Sequence, residues 1–279
     1  MEIRQQIREW LYLRPRVRSV WALNLVHEFR LIMEALEGGN YNRVTLDTEF
    51  MLDIDMQDVP ERHPRFVTPE ERYHNIRMKT DNGIIRQLGL TLSADDGSVL
   101  VWEFNFTLRH RNNFIPLYSP FNFSPLYTPA ETEEFLGIQL EPIDSNLFSR
   151  LLLSSGLLHN NRITWILFHG AYDIVFFIKL ATFWGPLPHS LLEFKSLIMT
   201  YLGECILDVK YIISFTPNLY GGLEEVAAAL SIERVVGRAH RAGSDSLLTW
   251  YTYRRMADIY FPLDGGMRHA GVIYGIDHI

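Results

Sequence analysis

The chain has 279 residues and a formal net charge of −7 at pH 7. Proteins that grip nucleic acid over a broad surface are usually basic, so the charge argues against a broad basic interface. It leaves open a narrow cleft in which divalent cations supply the positive charge. No apolar run is long and charge-free enough to span a bilayer, and the first residues lack the apolar core of a signal peptide. We therefore expect no membrane association.

A single cysteine, Cys205, excludes an intramolecular disulfide and favours a reducing compartment. It precedes the apolar residues Ile206 and Leu207. This position predicts a buried structural thiol rather than a nucleophile.

The first half of the chain predicts an amphipathic helix and then a set of strands. Residues 1–16 are interpreted as a helical or frayed N-terminal extension. The elements predicted next, in chain order, are a helix over 18–36, a strand over 43–50, a long loop over 51–82, and strands over 84–92 and 99–106 joined by a hairpin turn at 95–98.

The second half predicts helices that alternate with strands. The predicted elements are a loop over 112–129, helices over about 131–138 and 143–157, a strand over 163–168, helices over 172–183 and 191–201, a strand over 206–212, and helices over 223–230 and 244–259. Strands that come first as hairpins and then alternate with helices predict an α/β fold. We expect one domain with a mixed central sheet flanked by helices.

Asp47 and Glu49 lie two residues apart on the first long strand, so both side chains point to the same face. Two carboxylates on one face of a central strand repel each other and lose hydration, and a divalent cation would stabilise them. When the pair is taken alone, an edge strand whose polar face meets solvent is the better explanation.

Asp173 follows a buried strand and falls in the first turn of a predicted helix, where the helix dipole favours a carboxylate. An ordinary N-terminal aspartate is the simpler interpretation when the residue is taken alone. The neighbouring His169 is interpreted as a partly buried histidine that packs beside the site rather than as a ligand.

His240 and Asp245 lie near the C-terminus, in His240-Arg241-Ala242-Gly243-Ser244-Asp245. Gly243 and Ser244 mark a helix start, which places Asp245 in the first turn and His240 in the preceding loop. A histidine titrates near neutrality and can take a proton from water. A capped helix after a loop histidine explains this segment when it is taken alone.

The order of these residues is more specific than any one of them. Asp-x-Glu, a later Asp and a final His-x4-Asp resemble the pattern of the DEDD exonuclease superfamily, in the branch with a histidine five residues before the last aspartate. A sister branch has a tyrosine four residues before that aspartate, where this chain has Arg241.

Longer motifs resemble the CCR-associated-factor deadenylases, the smaller catalytic subunit of the CCR–NOT complex. The ending and the short tails of the chain resemble the plant members of that family. The resemblance covers nearly the whole chain, from 20–25 to 271–275. The other motifs that carry it are Leu46-Asp47-Thr48-Glu49-Phe50, Gln87-Leu88-Gly89-Leu90-Thr91, Trp102-Glu103-Phe104-Asn105-Phe106, Ser154-Ser155-Gly156 and Ala242-Gly243-Ser244-Asp245-Ser246-Leu247-Leu248-Thr249.

This resemblance implies an RNase H-like fold over 17–279 and removal of poly(A) tails from the 3′ end of messenger RNA, releasing 5′-AMP. It implies a CCR–NOT platform protein and a second deadenylase subunit as partners, and a location in cytoplasm and nucleus. The roles it implies are two divalent ions, Mg or Mn, held by Asp47, Glu49, Asp173 and Asp245, with His240 as general base and Asp208 and His169 as supporting residues.

Departures from the family pattern cluster near the predicted site. Arg241 replaces the usual glutamine, one residue is inserted within 234–238, and Arg86 stands where the family has an apolar residue. Met51-Leu52 replace Pro-Gly, and Gly170-Ala171 replace Ser-Gly. These departures remove no predicted ligand, and we expect them to affect substrate preference and rate.

Basic and aromatic residues gather at 63–79, where Arg65, Arg72, Arg77 and Lys79 are candidates for tracking phosphates. A solvated loop is the alternative. Two other functions stay open at this point: a scaffold subunit of the complex with little activity, and an exonuclease for DNA or general RNA. Retention of all five site residues opposes the first, and only the family resemblance opposes the second.

Overall fold

The computed structural model describes residues 15–52, 67–106 and 140–278, together with the backbone of 108–110 and 113–115. A six-stranded mixed sheet in the order β1-β4-β3-β2-β7-β8 forms the centre of a single α/β domain, as predicted. Its strands are β1 Val17–Val20, β2 Tyr41–Met51, β3 Ile84–Ala94, β4 Val99–Asn105, β7 Thr164–Leu167 and β8 Ile206–Asp208. The small strands β5 Leu108–His110 and β6 Asn113–Ile115 pair separately.

Eight helices are described. They are α1 Leu25–Glu37, α2 Pro69–Asp81, α3 Ser145–Ser154, α4 Ala171–Ala181, α5 Leu191–Leu202, α6 Val209–Ile212, α7 Leu223–Ala229 and α8 Ala242–Tyr260, with short 3-10 turns at Ile213–Phe215 and Met267–His269. Among the described helices none is both long and apolar enough to cross a membrane.

Alternation along the strands divides the core between the two faces of the sheet. Trp165 and Leu167 of β7 pack with α1, α3, α4 and α5, whereas Ile166 between them packs with α6, α7 and α8. The central strands β2 and β3 turn polar side chains to the α8 face, where Thr91 Oγ1 lies 2.9 Å from Ser246 Oγ of α8. This polar strip under α8 is the surface on which the site is built.

The strands predicted at 43–50, 84–92, 99–106 and 163–168 are confirmed, as are the helices that correspond to α3, α4, α5, α7 and α8. Two boundaries differ. The start of the predicted helix over 18–36 is strand β1, because Val17–Val20 pairs parallel with β4. The predicted strand over 206–212 ends at Asp208, whose carboxylate accepts the Lys210 N–H and begins α6.

The prediction of a continuous loop over 51–82 is wrong at its C-terminal end, where α2 begins at Pro69. Thr68 and Glu71 form a reciprocal capping box, and a proline fits the first helical turn. The predicted loop at 112–129 contains strand β6, while its remainder and the helix predicted over 131–138 lie outside the described residues. Cys205 is half-buried rather than buried.

Candidate metal centre

Strand β2 presents Asp47 and Glu49 on the face that α8 covers. In the antiparallel pairing of β2 with β3, Asp47 lies opposite Gly89 and Glu49 lies opposite Gln87. A β-carbon on Gly89 would lie 1.9 Å from the carbonyl oxygen of Ala242, the first residue of α8. The missing side chain therefore lets the start of α8 rest directly on the sheet beside the two carboxylates.

Asp245, in the first turn of α8, completes a cluster of three carboxylates. One oxygen each from Asp47, Glu49 and Asp245 lies within 4.8 Å of the others. Carboxylate oxygens are the ligands that Mg²⁺ and Mn²⁺ prefer, so the donor set fits a hard divalent cation. Residues predicted from two distant parts of the chain thus meet at one point.

Asp173, in the first turn of α4, is held beside this cluster by Thr48. Its Oδ1 accepts the Thr48 backbone N–H at 2.7 Å and the Thr48 hydroxyl at 2.5 Å. Thr48 is the residue between Asp47 and Glu49, so Asp173 is fixed next to the pair. It is a neighbour of the three clustered carboxylates, and its charge adds to theirs.

Burial and mutual repulsion raise the pKa values of these carboxyl groups. Burial raises the pKa of Asp47 well above its ordinary value, and the charges of Asp173, Asp245 and Glu49 raise it further. Burial raises the pKa of Asp173 to about 7, against the two hydrogen bonds from Thr48. Such crowding is unfavourable unless protons or cations neutralise it, and a divalent cation would do so.

His240 lies in the loop before α8, exposed to solvent, with a left-handed backbone at φ 61°. Burial raises the pKa of Glu49, and the nearby positive charges of His240 and Arg86 oppose that shift. His240 therefore borders the carboxylate cluster at its solvent side, where a water molecule can reach it. Arg86, one of the departures from the family pattern, borders the same carboxylate.

Arg234 is a site residue that the sequence patterns did not reveal. Its Nη2 lies 2.5 Å from Asp245 Oδ1 and also pairs with Glu224, while its Nη1 donates to the Ser244 hydroxyl. Burial raises the pKa of Asp245, and the Arg234 charge and hydrogen bond oppose that shift. Arg234 is the first residue of the segment 234–238, which contains the inserted residue. It lies ten residues before Ser244, and no short sequence motif indicates that the two side chains are in contact.

Asp208, predicted as a supporting residue, is fully buried and binds backbone. Its two oxygens accept the N–H groups of His169 and Gly170 at 2.9 Å, and those of Lys210 and Tyr274 at 3.0 Å. These bonds tie the C-terminal segment to the start of α4. Asp208 therefore acts on the position of α4 and its Asp173.

His169 lies outside the described carboxylate cluster. Its side chain is exposed rather than partly buried as expected, and its ring meets Tyr274 edge-on at a centroid distance of 4.8 Å. His169 is thus a neighbour of the Asp208 network, and its supporting role stays a prediction.

The candidate phosphate-tracking residues lie on α2, apart from Arg65, which is outside the described residues. Arg72 donates from Nε to the Ile276 carbonyl at 2.8 Å and from Nη2 to the Asp277 carbonyl at 3.1 Å. Arg77 lies 3.9 Å from the Asp81 carboxylate. Arg72 therefore holds the C-terminal segment in place, and its geometry gives no support to RNA binding. The roles of Arg65, Arg77 and Lys79 stay predictions.

Comparison with known sequences places this chain among the ribonucleases. A family model described as CAF1 family ribonuclease matches residues 147–252. Probable CCR4-associated factor 1 homolog 10 of Arabidopsis thaliana is 32% identical over 276 residues, covering 93% of this chain and 92% of that protein. Poly(A) ribonuclease pop2 of Schizosaccharomyces pombe is 33% identical over 267 residues, covering 93% of this chain and 75% of that protein.

Solved structures agree with the sequence comparison. The S. pombe Pop2p structure in its Mg²⁺- and Mn²⁺-bound form matches with a TM-score of 0.71 at 32% identity, covering 93% of this chain and 99% of that one. CAF1 co-crystallised with the yeast NOT1 MIF4G domain matches with a TM-score of 0.67 at 26% identity, covering 92% and 96%. The fold is that of the Pop2 and CAF1 ribonuclease structures. The chain belongs to the CAF1 ribonuclease family.

Proposed function

We propose that this protein is a metal-dependent 3′-to-5′ exoribonuclease that shortens the poly(A) tails of messenger RNA and releases 5′-AMP. One observation carries the proposal: carboxylate oxygens of Asp47, Glu49 and Asp245 lie within 4.8 Å of one another. The fixed carboxylate of Asp173 and the exposed His240 border this cluster. Membership of the CAF1 ribonuclease family supports the same reaction.

The proposed metal ligands are the three clustered aspartate and glutamate side chains, joined by Asp173. Two bound Mg²⁺ or Mn²⁺ ions would lower the pKa of a water molecule and stabilise the departing 3′ oxygen. The Pop2p relative was solved in a Mg²⁺- and Mn²⁺-bound form, which supports this choice of ions.

His240 is the proposed general base. Its exposed position beside Glu49 lets it accept a proton from water. The oxygen of that water then bonds to the phosphorus of the last phosphodiester as the bond to the 3′ oxygen breaks. The departing 3′ oxygen takes up a proton from solvent and becomes the new 3′ hydroxyl, while His240 returns its own proton to solvent. The products are a nucleoside 5′-monophosphate and an RNA shortened by one residue.

The net charge of −7 is compatible with RNA binding at this position. Four carboxylates contribute about four negative charges, and two divalent ions cancel them locally. RNA is then held by charge within the cleft rather than by a broad basic surface.

The experiment that tests this function uses purified protein and 5′-labelled RNA ending in a run of A, with Mg²⁺ or Mn²⁺. A matched RNA with a non-A tail and a matched DNA are the controls. A ladder that stops at the tail junction supports the deadenylase. Equal shortening of all three substrates would show an exonuclease of broader preference, and no shortening with either metal would leave the scaffold function.

We further propose that the protein assembles with a CCR–NOT platform protein and a second deadenylase subunit, in cytoplasm and nucleus. The CAF1 neighbour that was co-crystallised with a NOT1 MIF4G domain supports the first partner. Size-exclusion chromatography with a purified MIF4G domain tests it directly. Separate elution of the two proteins at micromolar concentration would contradict it. Fluorescence microscopy of the tagged protein tests the location.

A further inference from the structure

A buried ion pair between Glu103 and Arg241 joins strand β4 of the sheet to the loop that carries His240. Glu103 lies on β4, and its side chain is 4% exposed. The Arg241 side chain is 13% exposed, and its Nη2 pairs with Glu103 Oε1, while its Nε lies 3.3 Å from Oε2. The contact is bidentate, and such pairs fix the guanidinium in one orientation.

Glu103 also contacts the start of α8 directly. The Gly243 N–H donates to Glu103 Oε2 at 3.3 Å, and a β-carbon on Gly243 would lie 2.9 Å from the Glu103 β-carbon. A carboxylate at a helix N-terminus is favoured by the free N–H groups and the helix dipole. Glu103 therefore holds the start of α8 against β4 through two contacts, the ion pair with Arg241 and the hydrogen bond from the Gly243 N–H.

The backbone of Arg241 connects this ion pair to Asp245 in the candidate metal centre. Its backbone N–H donates to Asp245 Oδ2 at 3.1 Å, and its carbonyl accepts the Asp245 N–H at 2.8 Å. The preceding residue is His240, whose left-handed backbone turns the loop at this point. With Arg241 fixed at both backbone and side chain, the neighbouring His240 has little freedom to move away from Glu49.

We propose that the Glu103–Arg241 ion pair positions His240 over the carboxylate cluster, so that both residues set the rate of hydrolysis without touching substrate. This inference rests on the proposed function. The arginine replaces the glutamine usual in the family, so the pair is also a feature of this chain. A positive charge this far from solvent is stable only with a paired carboxylate, and Glu103 supplies it.

The test compares three variants: Glu103→Gln, Arg241→Gln and the double variant. Each single change breaks the ion pair at a mostly buried position, and we expect kcat to fall about 10-fold to 100-fold with KM nearly unchanged. In the double variant two amides of similar length can hydrogen-bond to each other. We expect it to recover kcat to within about threefold of the wild type, since residues in direct contact have non-additive effects.

Glu28→Gln is the matched control. Glu28 is buried and pairs with Arg18 at 2.6 Å, and it also accepts the Trp102 indole N–H at 3.0 Å, on the face of the sheet away from α8. We expect Glu28→Gln to lower Tm without lowering kcat. A loss of kcat in Glu28→Gln equal to that in Glu103→Gln would show a general stability effect and overturn the proposal.

A second readout is independent of activity. The ring-proton resonance of His240, assigned in NMR spectra by comparison with His240→Gln, reports the surroundings of the imidazole even if the wild type degrades no RNA. We expect this resonance to shift or broaden in both single variants and to return in the double variant. An unchanged resonance in Glu103→Gln would overturn the proposal, whereas an inactive wild type with the expected shifts would overturn only the proposed function.

Discussion

Asp173 on α4 and Thr48 on β2 are 125 residues apart, yet the carboxylate of one binds both the N–H and the hydroxyl of the other. The pairing of β2 with β7 ends at Thr45, three residues before Thr48. The N–H of Thr48 therefore lies beyond this strand pairing, on the β7 side of β2. Asp173 accepts it there. The end of strand pairing thus fixes the position of a candidate metal ligand.

Replacing Thr48 with valine removes the hydroxyl bond to Asp173 and keeps the shape of the side chain. We expect the free energy of unfolding to fall by about 1.5–3 kcal/mol, the range for hydrogen bonds to charged groups. Mn²⁺ affinity, measured by calorimetry, should also fall because Asp173 loses part of its orientation. Thr48→Ser keeps the hydroxyl and is the control, so an equal loss of affinity in the serine variant would contradict this account.

The raised pKa of Asp173, about 7, predicts an unusual pH dependence for the metal-free protein. Between pH 3.8, the ordinary pKa of an aspartate, and about pH 7, the Asp173 carboxyl group keeps its proton in the folded state and loses it in the unfolded state. Stability in EDTA should therefore fall as the pH rises through this window. Thermal unfolding from pH 4 to 8 measures it. Asp173→Asn should flatten the slope, and an unchanged slope in that variant would assign the effect to other groups.

Arg234 and a bound cation both neutralise Asp245, so their effects should not be additive. Arg234→Gln leaves a mostly buried carboxylate without its partner and should lower Tm in EDTA. Added Mn²⁺ should then raise Tm more in the variant than in the wild type. A smaller increment would mean that Arg234 serves the metal by orienting Asp245 rather than by offsetting its charge.

His240→Ala tests the proposed base separately from the metal. We expect kcat to fall by about 10²-fold to 10⁴-fold, the usual contribution of a general base. Mn²⁺ affinity in calorimetry should stay near the wild-type value, because His240 lies outside the carboxylate cluster that is proposed to hold the metal. His189→Ala, at an exposed position after the end of α4, is the control. Equal loss of rate and metal affinity would mean that His240 is structural.

Sequence patterns predicted much of this molecule because the signals are local. Period-two alternation is plain in β2, β3 and β4, and the helix start before Asp245 is marked by Gly243 and Ser244. The spacing of Asp47 and Glu49 fixed their common face. Their order with Asp173, His240 and Asp245 was enough to expect one site.

The missed features depend on contacts between distant segments. Strand β1 has the apolar spacing of a helix and is a strand only because β4 is beside it. Arg234 and Glu103 became visible only when their partners Asp245 and Arg241 were in place. The α2 start was readable, since Thr68, Pro69 and Glu71 form a capping signature, but the surrounding prolines favoured a loop.

The central claim, that the acidic cluster holds the metal for RNA hydrolysis, is tested most directly with Asp47→Ala. The control is Asp258→Ala, an exposed aspartate on the last turns of α8, about 20 Å along the helix from Asp245 by its rise per residue. Calorimetry with Mn²⁺ and the poly(A) ladder are run on the same preparations. The prediction is that Asp47→Ala loses both metal binding and the ladder while keeping a cooperative thermal transition, and that Asp258→Ala keeps all three. Wild-type metal affinity and tail shortening in Asp47→Ala would contradict the claim.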